Sequence, residues 1–449
     1  MTTWHAELAW LQDGLHDGVL IECEGERITG VTTQPEVPEG ARRLTGLVLP
    51  GLANVHSHAF QRALRGRSEP EQPGRADFWS WREQMYRLAG TLEPDVLFDL
   101  ARATYVEMLL AGITAVGEFH YLHHAPGGDP YEEPNETGLV LARAAQEAGL
   151  RLTLLDACYL QGGLDGRPLE GAQRRFGDAS AAAWAARVGA LSETETLKVG
   201  AAIHSVRAVD EASMATVASW ARERDAALHV HVSEQPAENR DCLAATGLTP
   251  VALLDRAGAL GPRTTAIHAT HLERSDIELL GSSRTAVCLC PTTERDLADG
   301  VGPAVALAEA GSPLCLGSDS HAVIDLFEDA RAVELDQRLL SGRRGHHSPE
   351  ALLGAMTGAG MASLGWDAGR LEPGRLADFV ALDLGSIRLA GWRKEDLLRQ
   401  VVYAATAADV TDVVVGGRQL VRRGRHFASD QAARRLHEAI HRAIDSTEA

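Results

Sequence analysis

Eight short apolar runs, separated by longer segments rich in Ala, Leu, Glu and Arg, recur through the middle of this chain and constrain its fold more than any other feature. They are GLVLPGLANVHSH (46–58), ITAVGEFHY (113–121), RLTLLDACYL (151–160), LKVGAAIHSV (197–206), ALHVHVSE (227–234), TTAIHATHL (264–272), TAVCLCPTT (285–293) and PLCLGSDSH (313–321). Runs this short and this continuously apolar fit strands buried on both faces, and intervening stretches such as PDVLFDLARATYVEMLLAG have the length and composition of helices. Eight such units predict an α/β protein built on a (β/α)8 barrel of the TIM type. Polar residues gather at the C-terminal ends of the runs: His56 and His58 on the first, His120 and Tyr121 on the second, His204 on the fourth, His231 with Glu234 on the fifth, His268 on the sixth and Asp319 on the eighth. In such a barrel that end carries the active site, so these side chains are expected to converge.

The flanks read differently. GVLIECEGERITGVTT near the start alternates apolar and polar residues around Glu24-Gly25, and GRLADFVALDL (374–384) and VTDVVVGGRQLVRRGR (410–425) repeat the look, with Gly416-Gly417 as a tight hairpin turn. Neither end has enough strands to close a core alone. The two are expected to share a small β-sandwich domain, with residues 1–48 as its first part, 49–370 as the barrel, and 371–449 as its second part plus a C-terminal helix. RGRSEPEQPGRADFWSWREQ (65–84) mixes Pro, Gly and charge ahead of an aromatic cluster and predicts a loop or lid over the barrel mouth.

With 62 acidic against 43 basic side chains the formal charge is −19, spread along the chain without a separate acidic tail. Such a field disfavours nucleic acid and anionic membrane as partners, and an anionic substrate must be met by arginines placed locally. The six cysteines are scattered without a C-x-x-C, which argues against a disulfide framework. No run of 18 or more apolar residues reads as a membrane span, and the first residues lack the pattern of a signal peptide. A cytoplasmic location is the expectation.

His56 and His58, two apart on a strand, point the same way and can chelate one ion. His231, His268 and Asp319 stand at equivalent ends of three other strands, and three neutral imidazoles with a carboxylate suit Zn2+ or another divalent first-row ion. His229 shares a face with His231 but lies deeper and reads as a core or supporting histidine. Cys288 and Cys290 read as small buried hydrophobes. Lys198, the lysine of the fourth unit, begins its strand, which argues for one metal over a lysine-bridged pair.

The segments LPGLANVHSH, HVHVSE, AIHATHL, LGSDSH and LEPGRLADFVALD together resemble the amidohydrolase superfamily, in its mononuclear deaminase branch, over nearly the full length. NVHSHAFQRALRGR, with DFWSWRE, GEFHYLHH and AIHSVRAV, is similar more narrowly to the formimidoylglutamate deiminases of histidine degradation. The resemblance implies one Zn2+ on His56, His58, His231 and Asp319, an acid/base at Glu234, and a polarising imidazole at His268. For substrate contacts it implies Gln61, Arg82, Tyr121, His204 and Arg207, and for assembly a homodimer. The implied reaction is hydrolysis of N-formimino-L-glutamate to N-formyl-L-glutamate and ammonia. In it Asp319 takes a proton from water, Glu234 protonates the imine nitrogen, and His268 stabilises the oxygen of the tetrahedral intermediate.

That substrate is a small dicarboxylate with a formimino group, and the planar forks of Arg82 and Arg207 are the cations expected to meet its carboxylates. Arg62, Arg65 and Arg67 are expected to be solvated or paired with acids. One alternative keeps the chemistry but acts on a purine, pyrimidine or other heteroaromatic amine, which calls for stacking side chains and amides instead of two arginines. Another is a catalytically silent barrel that binds metal or a metabolite, which has no need of Glu234 beside His231.

Overall fold

The computed structural model describes residues 1–69 and 77–448. In chain order its strands are β1 (Thr2–Leu11), β2 (Gly14–Glu24), β3 (Arg27–Thr33), β4 (Arg42–Pro50), β5 (Leu52–Ser57), β6 (Ile113–His120), β7 (Arg151–Cys158) and β8 (Leu197–Ile203). There follow β9 (Leu228–Val232), β10 (Thr264–His268), β11 (Ala286–Leu289), β12 (Leu314–Leu316), β13 (Phe379–Leu382), β14 (Val410–Val415), β15 (Arg418–Arg422) and β16 (Arg425–His426).

β5 to β12 lie side by side in chain order, all parallel, with helices between them. This is the (β/α)8 barrel, and its strands are buried on both faces, which is why they read as continuous apolar runs. The first run in fact spans two sheets. β4 ends at Pro50, Gly51 intervenes, and β5 begins at Leu52. Both strands are buried there, so hydrophobicity does not mark the passage from one sheet to the other.

The two chain ends meet in a second sheet of order β16-β15-β14-β13-β4-β1-β2-β3. β4 is its hinge piece, parallel to β1 on one side and antiparallel to β13 on the other. Gly416 and Gly417 turn between β14 and β15 with φ of 56° and 71°, the pair of positive values that a two-residue hairpin of matching twist requires. Trp4, Ile21, Ile28, Leu44, Phe379 and Val414 form an apolar core of this sheet. A buried ion pair joins it to the barrel: Arg151, the first residue of β7, donates to Asp378 from Nε (2.7 Å) and Nη2 (3.2 Å), and to Glu26 from Nη1 (3.0 Å).

The segment expected to be a loop is partly helical. Just ahead of the segment Ala59–Leu64 is a 3-10 helix, and the segment's last part enters the α-helix Phe78–Thr91, opened by Asp77, whose side chain accepts from Ser80 N. The aromatic cluster lies inside this helix, with Phe78, Met85, Leu88 and Ala89 on its buried face. The Pro and Gly content ahead of Asp77 hid that start signal. The part of the expected lid at 70–76 lies outside the described residues. Among the described residues no helix is long and apolar enough to cross a membrane, and the six cysteines are buried and unpaired.

Candidate metal centre and active site

His56 and His58 face into the barrel mouth from β5, and His231 meets them from β9. Their ligand nitrogens lie within 4.8 Å of one another, with Nε2 of His56 and Nε2 of His231 3.0 Å apart. Asp319 Oδ1 is 3.3 Å from His56 Nε2 and 3.5 Å from His58 Nε2. Nδ1 of His58 donates to Phe119 O (2.8 Å) and Nδ1 of His231 to His204 O (2.9 Å), which leaves each Nε2 lone pair turned to the centre. His56 Nδ1 is buried without such a partner. Burial pushes His56 down to about 3 and lowers His58 and His231 as well, so the rings are neutral. Burial acts to raise Asp319, but His56, His268 and His58 outweigh it and hold its carboxyl well below the usual range. Lone pairs of neutral imidazoles and an anionic oxygen crowded this closely need a cation among them, and the nitrogen and oxygen donors suit Zn2+ and its divalent first-row neighbours.

Asp319 arrives three residues past the end of β12. Its N–H donates to His56 O (3.0 Å), and His58 N–H donates to Asp319 O (3.2 Å), so the barrel is closed at the ligands themselves. A Cβ at Gly317 would stand 2.7 Å from His56 Cβ and 2.9 Å from its backbone nitrogen, so glycine is what lets this chain segment lie against β5. The chain leaves the strands abruptly here: Ser233, His268, Asp319 and His321 all have positive φ, from 44° to 68°. Backbone strain of this kind concentrates at functional sites.

His268 Nε2 lies 3.6 Å from Glu234 Oε1 and 3.8 Å from Asp319 Oδ2, while its Nδ1 lies 3.3 Å from Glu294 Oε1. Burial disfavours its charged form, yet Glu234, Glu294 and Asp319 prevail and hold His268 well above the ordinary imidazole value. Glu234 is raised by burial.

Gln61, on the 3-10 turn after His58, donates from Nε2 to Tyr121 OH (3.1 Å), and its Oε1 is buried without a partner. The Tyr121 ring lies edge-on to His58 (5.2 Å) and His204 (5.5 Å), and His204 packs on Tyr159 (4.5 Å). Arg207 Nε donates to Glu238 Oε2 (2.8 Å), and Glu238 Oε1 accepts from Ser233 N (2.8 Å), the residue before Glu234. Arg82 donates to Tyr86 OH and lies over the Tyr86 and Trp79 rings, 4.8 and 5.5 Å from their centroids. Burial first, and then the charges of Arg207 and Arg82, push His204 well below its ordinary value.

Five contributors were not singled out in the sequence, although Tyr159 lies at the end of the third apolar run. Tyr86 and Tyr159 are bridged by Gln173, whose Nε2 donates to both hydroxyls (3.4 and 3.0 Å), and Glu238 and Glu294 brace Arg207 and His268. Only Tyr86, one helical turn after Arg82, sits at a spacing that could have pointed to it.

His120 does not join the site. With Phe119 and Tyr121 facing in, it turns outward and packs on His123 (4.9 Å), beside Asp156, which Arg187 grips with bonds of 2.8 and 2.9 Å. His229 lies deeper, 3.4 Å from Ser363 O. Cys288 and Cys290 sit with their sulfurs 4.0 Å apart in an apolar cluster. Arg62 and Arg65 pair with Glu107, and Lys198 lies over Trp366 at the far end of its strand.

Known proteins carry the same frame. The Amidohydrolase family matches residues 47–420. The chain is 36% identical to formimidoylglutamate deiminase of Pseudomonas aeruginosa, across 99% of this chain and all of that one. It is 31% identical to 8-oxoguanine deaminase of the same organism, across 90% and 88% of the two chains. An amidohydrolase from Brucella melitensis superposes with a TM-score of 0.91 at 34% identity, covering 99% of this chain and 100% of that one. A match that begins within β4, just ahead of β5, and ends within β15 takes in the whole barrel and every site residue described above: the chain belongs to the amidohydrolase family.

Proposed function

We propose that this protein hydrolyses N-formimino-L-glutamate to N-formyl-L-glutamate and ammonia, with one Zn2+ on His56, His58, His231 and Asp319. The observation that carries the substrate is the placing of two arginines about His204: Arg207 follows it by three residues, and Arg82 donates to Tyr86, which Gln173 links to the Tyr159 ring packed on His204. In a chain of net charge −19, two cations so placed suit a ligand with two carboxylates. Arg207 is engaged through Nε, which leaves its terminal N–H groups for the ligand. The full-length likeness to a formimidoylglutamate deiminase supports the same reading.

When bound, the metal supplies water acidified from 15.7 to about 7. Asp319, held as an anion, would accept a proton from the attacking water. Glu234, raised by burial, delivers its proton to the imine nitrogen, takes up the proton that the hydroxyl of the tetrahedral intermediate gives up as the C=O forms, and passes it to the departing amine; the proton held by Asp319 then restores Glu234. His268 donates a hydrogen bond to the oxygen that gains charge as the carbon becomes tetrahedral. Gln61 and Tyr121 position the formimino end beside His58. A cytoplasmic homodimer completes the proposal on the resemblance alone, and light scattering reads the assembly directly.

The test is ammonia release from N-formimino-L-glutamate and from a panel of nucleobases. Turnover of the former is expected, with Arg82→Met and Arg207→Met each lowering kcat/KM by ~10- to 100-fold, the worth of one charge-assisted contact. Efficient turnover of a nucleobase with both arginine variants silent would transfer the assignment to the heteroaromatic deaminases.

A further inference from the structure

Behind the ligands runs a second set of polar side chains that neither metal binding nor proton transfer uses. Asn54 Nδ2 donates to Ser318 Oγ (2.7 Å), Ser318 Oγ lies 3.0 Å from His321 Nδ1, and His321 Nε2 lies 3.1 Å from Ser57 Oγ. Ser57 Oγ in turn donates to Glu118 Oε2 (2.6 Å). Asn54, Ser57, Ser318 and His321 are 0% exposed and Glu118 2%.

Each hydroxyl has a single proton, so with Glu118 as the carboxylate the whole chain runs in one direction. Ser57 gives its proton to Glu118, so it accepts from Nε2–H of His321. Nδ1 of His321 then accepts the proton of Ser318, whose oxygen accepts from Asn54. Every link is satisfied from amide to carboxylate. The two ends are tied to backbone, since Asn54 Oδ1 accepts from Ser318 N (2.9 Å) and Glu118 Oε1 accepts from Ala59 N (2.7 Å).

The members of this chain interleave with the ligands. Asn54 and Ser57 flank His56 on β5, Ser57 also precedes His58, and Ser318 and His321 bracket Asp319. They also stand at the seam between β12 and β5, which is closed by a single Ser57–Asp319 bridge where the other strand pairs have ladders. The turn they hold carries positive φ at Asp319 (44°) and His321 (64°), a backbone state that a non-glycine residue keeps only where its surroundings over-determine it. Arg65 adds a bond from Nε to His321 O (2.5 Å).

We propose that His321 is a positioning residue of the metal centre: its ring, fixed between Ser57 and Ser318, sets how closely Asp319 approaches His56 and His58, and thereby how tightly the metal is held. This rests on the reading that those residues with His231 are the ligands. His321 touches no substrate, so its loss lowers kcat and metal affinity and leaves KM alone.

The experiment follows zinc release from the loaded full-length protein into excess chelator with a metallochromic dye, beside kcat and KM. Wild type that holds no zinc overturns the ligand reading and this proposal together, before any variant is made. With zinc held, His321→Ala is expected to release it ~10- to 100-fold faster, the usual consequence of removing a group that orients ligands. His321→Asn, which tolerates positive φ and keeps a donor and an acceptor, recovers part of the loss. His426→Ala, a buried histidine bonded to Ala148 O (3.0 Å) away from the site, keeps the wild-type release rate. Ser57→Ala cuts the same chain at a residue of ordinary backbone, and it decides the matter if His321→Ala does not fold. Wild-type release from His321→Ala or Ser57→Ala, or equally fast release from His426→Ala, overturns the proposal.

Discussion

Glu234 and His268 lie 3.6 Å apart, and one environment raises both. Burial raises the carboxyl of Glu234, and the same burial would neutralise His268 did not Glu234, Glu294 and Asp319 surround it. The two groups are therefore coupled, each protonation state depending on the other, and they stand where a deimination needs a proton at the nitrogen and a donor at the oxygen. Glu234→Gln preserves the size and the hydrogen-bonding ends of the side chain but cannot transfer a proton. It is expected to lower kcat by ~10²- to 10⁴-fold with unchanged zinc content, read by steady-state kinetics and elemental analysis. A kcat within tenfold of wild type would remove Glu234 from proton transfer. At this scale the sequence was legible where residues share a strand: His56 with His58, and His231 with Glu234. Glu238 and Glu294 were not, because one carboxylate among 62 acidic residues carries no spacing signal and only the fold brings it to Arg207 or His268.

Among elements, the junction of β12 with β5 decides whether the four proposed ligands share one point. Gly317 packs there without a side chain, and a methyl group would meet His56 Cβ at 2.7 Å and His56 O at 3.0 Å. Neither neighbour is the far end of a flexible side chain, so the segment carrying Asp319 must move. Gly317→Ala is expected to cost ~1–3 kcal/mol of stability by overpacking, together with weaker zinc retention. Gly354→Ala, in the helix Pro349–Met356 with nothing within 4 Å of the added carbon, is expected to be neutral or stabilising by up to ~1 kcal/mol. Urea midpoints and chelator competition on the two variants check both statements, and equal behaviour of the pair would show that the close approach at the seam is not limiting. The eight strands were readable because burial on both faces makes an unbroken apolar run. Their ends were not, since the chain turns off the sheet at Ser233, His268 and Asp319 with backbone angles that residue type alone does not announce.

Over the whole molecule, the sheet built from the chain ends is fastened to the barrel by a shared apolar core and by one buried ion pair. Arg151 is wholly buried at the start of β7, and Asp378, also wholly buried, accepts from it twice and from Gly416 N (2.7 Å). Their separation of 227 residues kept the pair invisible in the sequence. A buried ion pair weighs little against a hydrophobic substitute for both partners, but removing one partner strands the other charge away from water. Arg151→Met is therefore expected to cost ~3–5 kcal/mol and Arg151→Met with Asp378→Leu distinctly less, both read from urea midpoints. The pair lies at the opposite end of β7 from the ligand cluster, so KM for N-formimino-L-glutamate is expected to stay at its wild-type value in the folded variants. The shape of the transition adds a second reading. If the Arg151–Asp378 link is what makes sheet and barrel unfold as one, Arg151→Met splits a single transition in two, with zinc release following the barrel step. A single transition in Arg151→Met, shifted to lower urea with its slope intact, would assign that cooperativity to the apolar contacts between the two sheets instead.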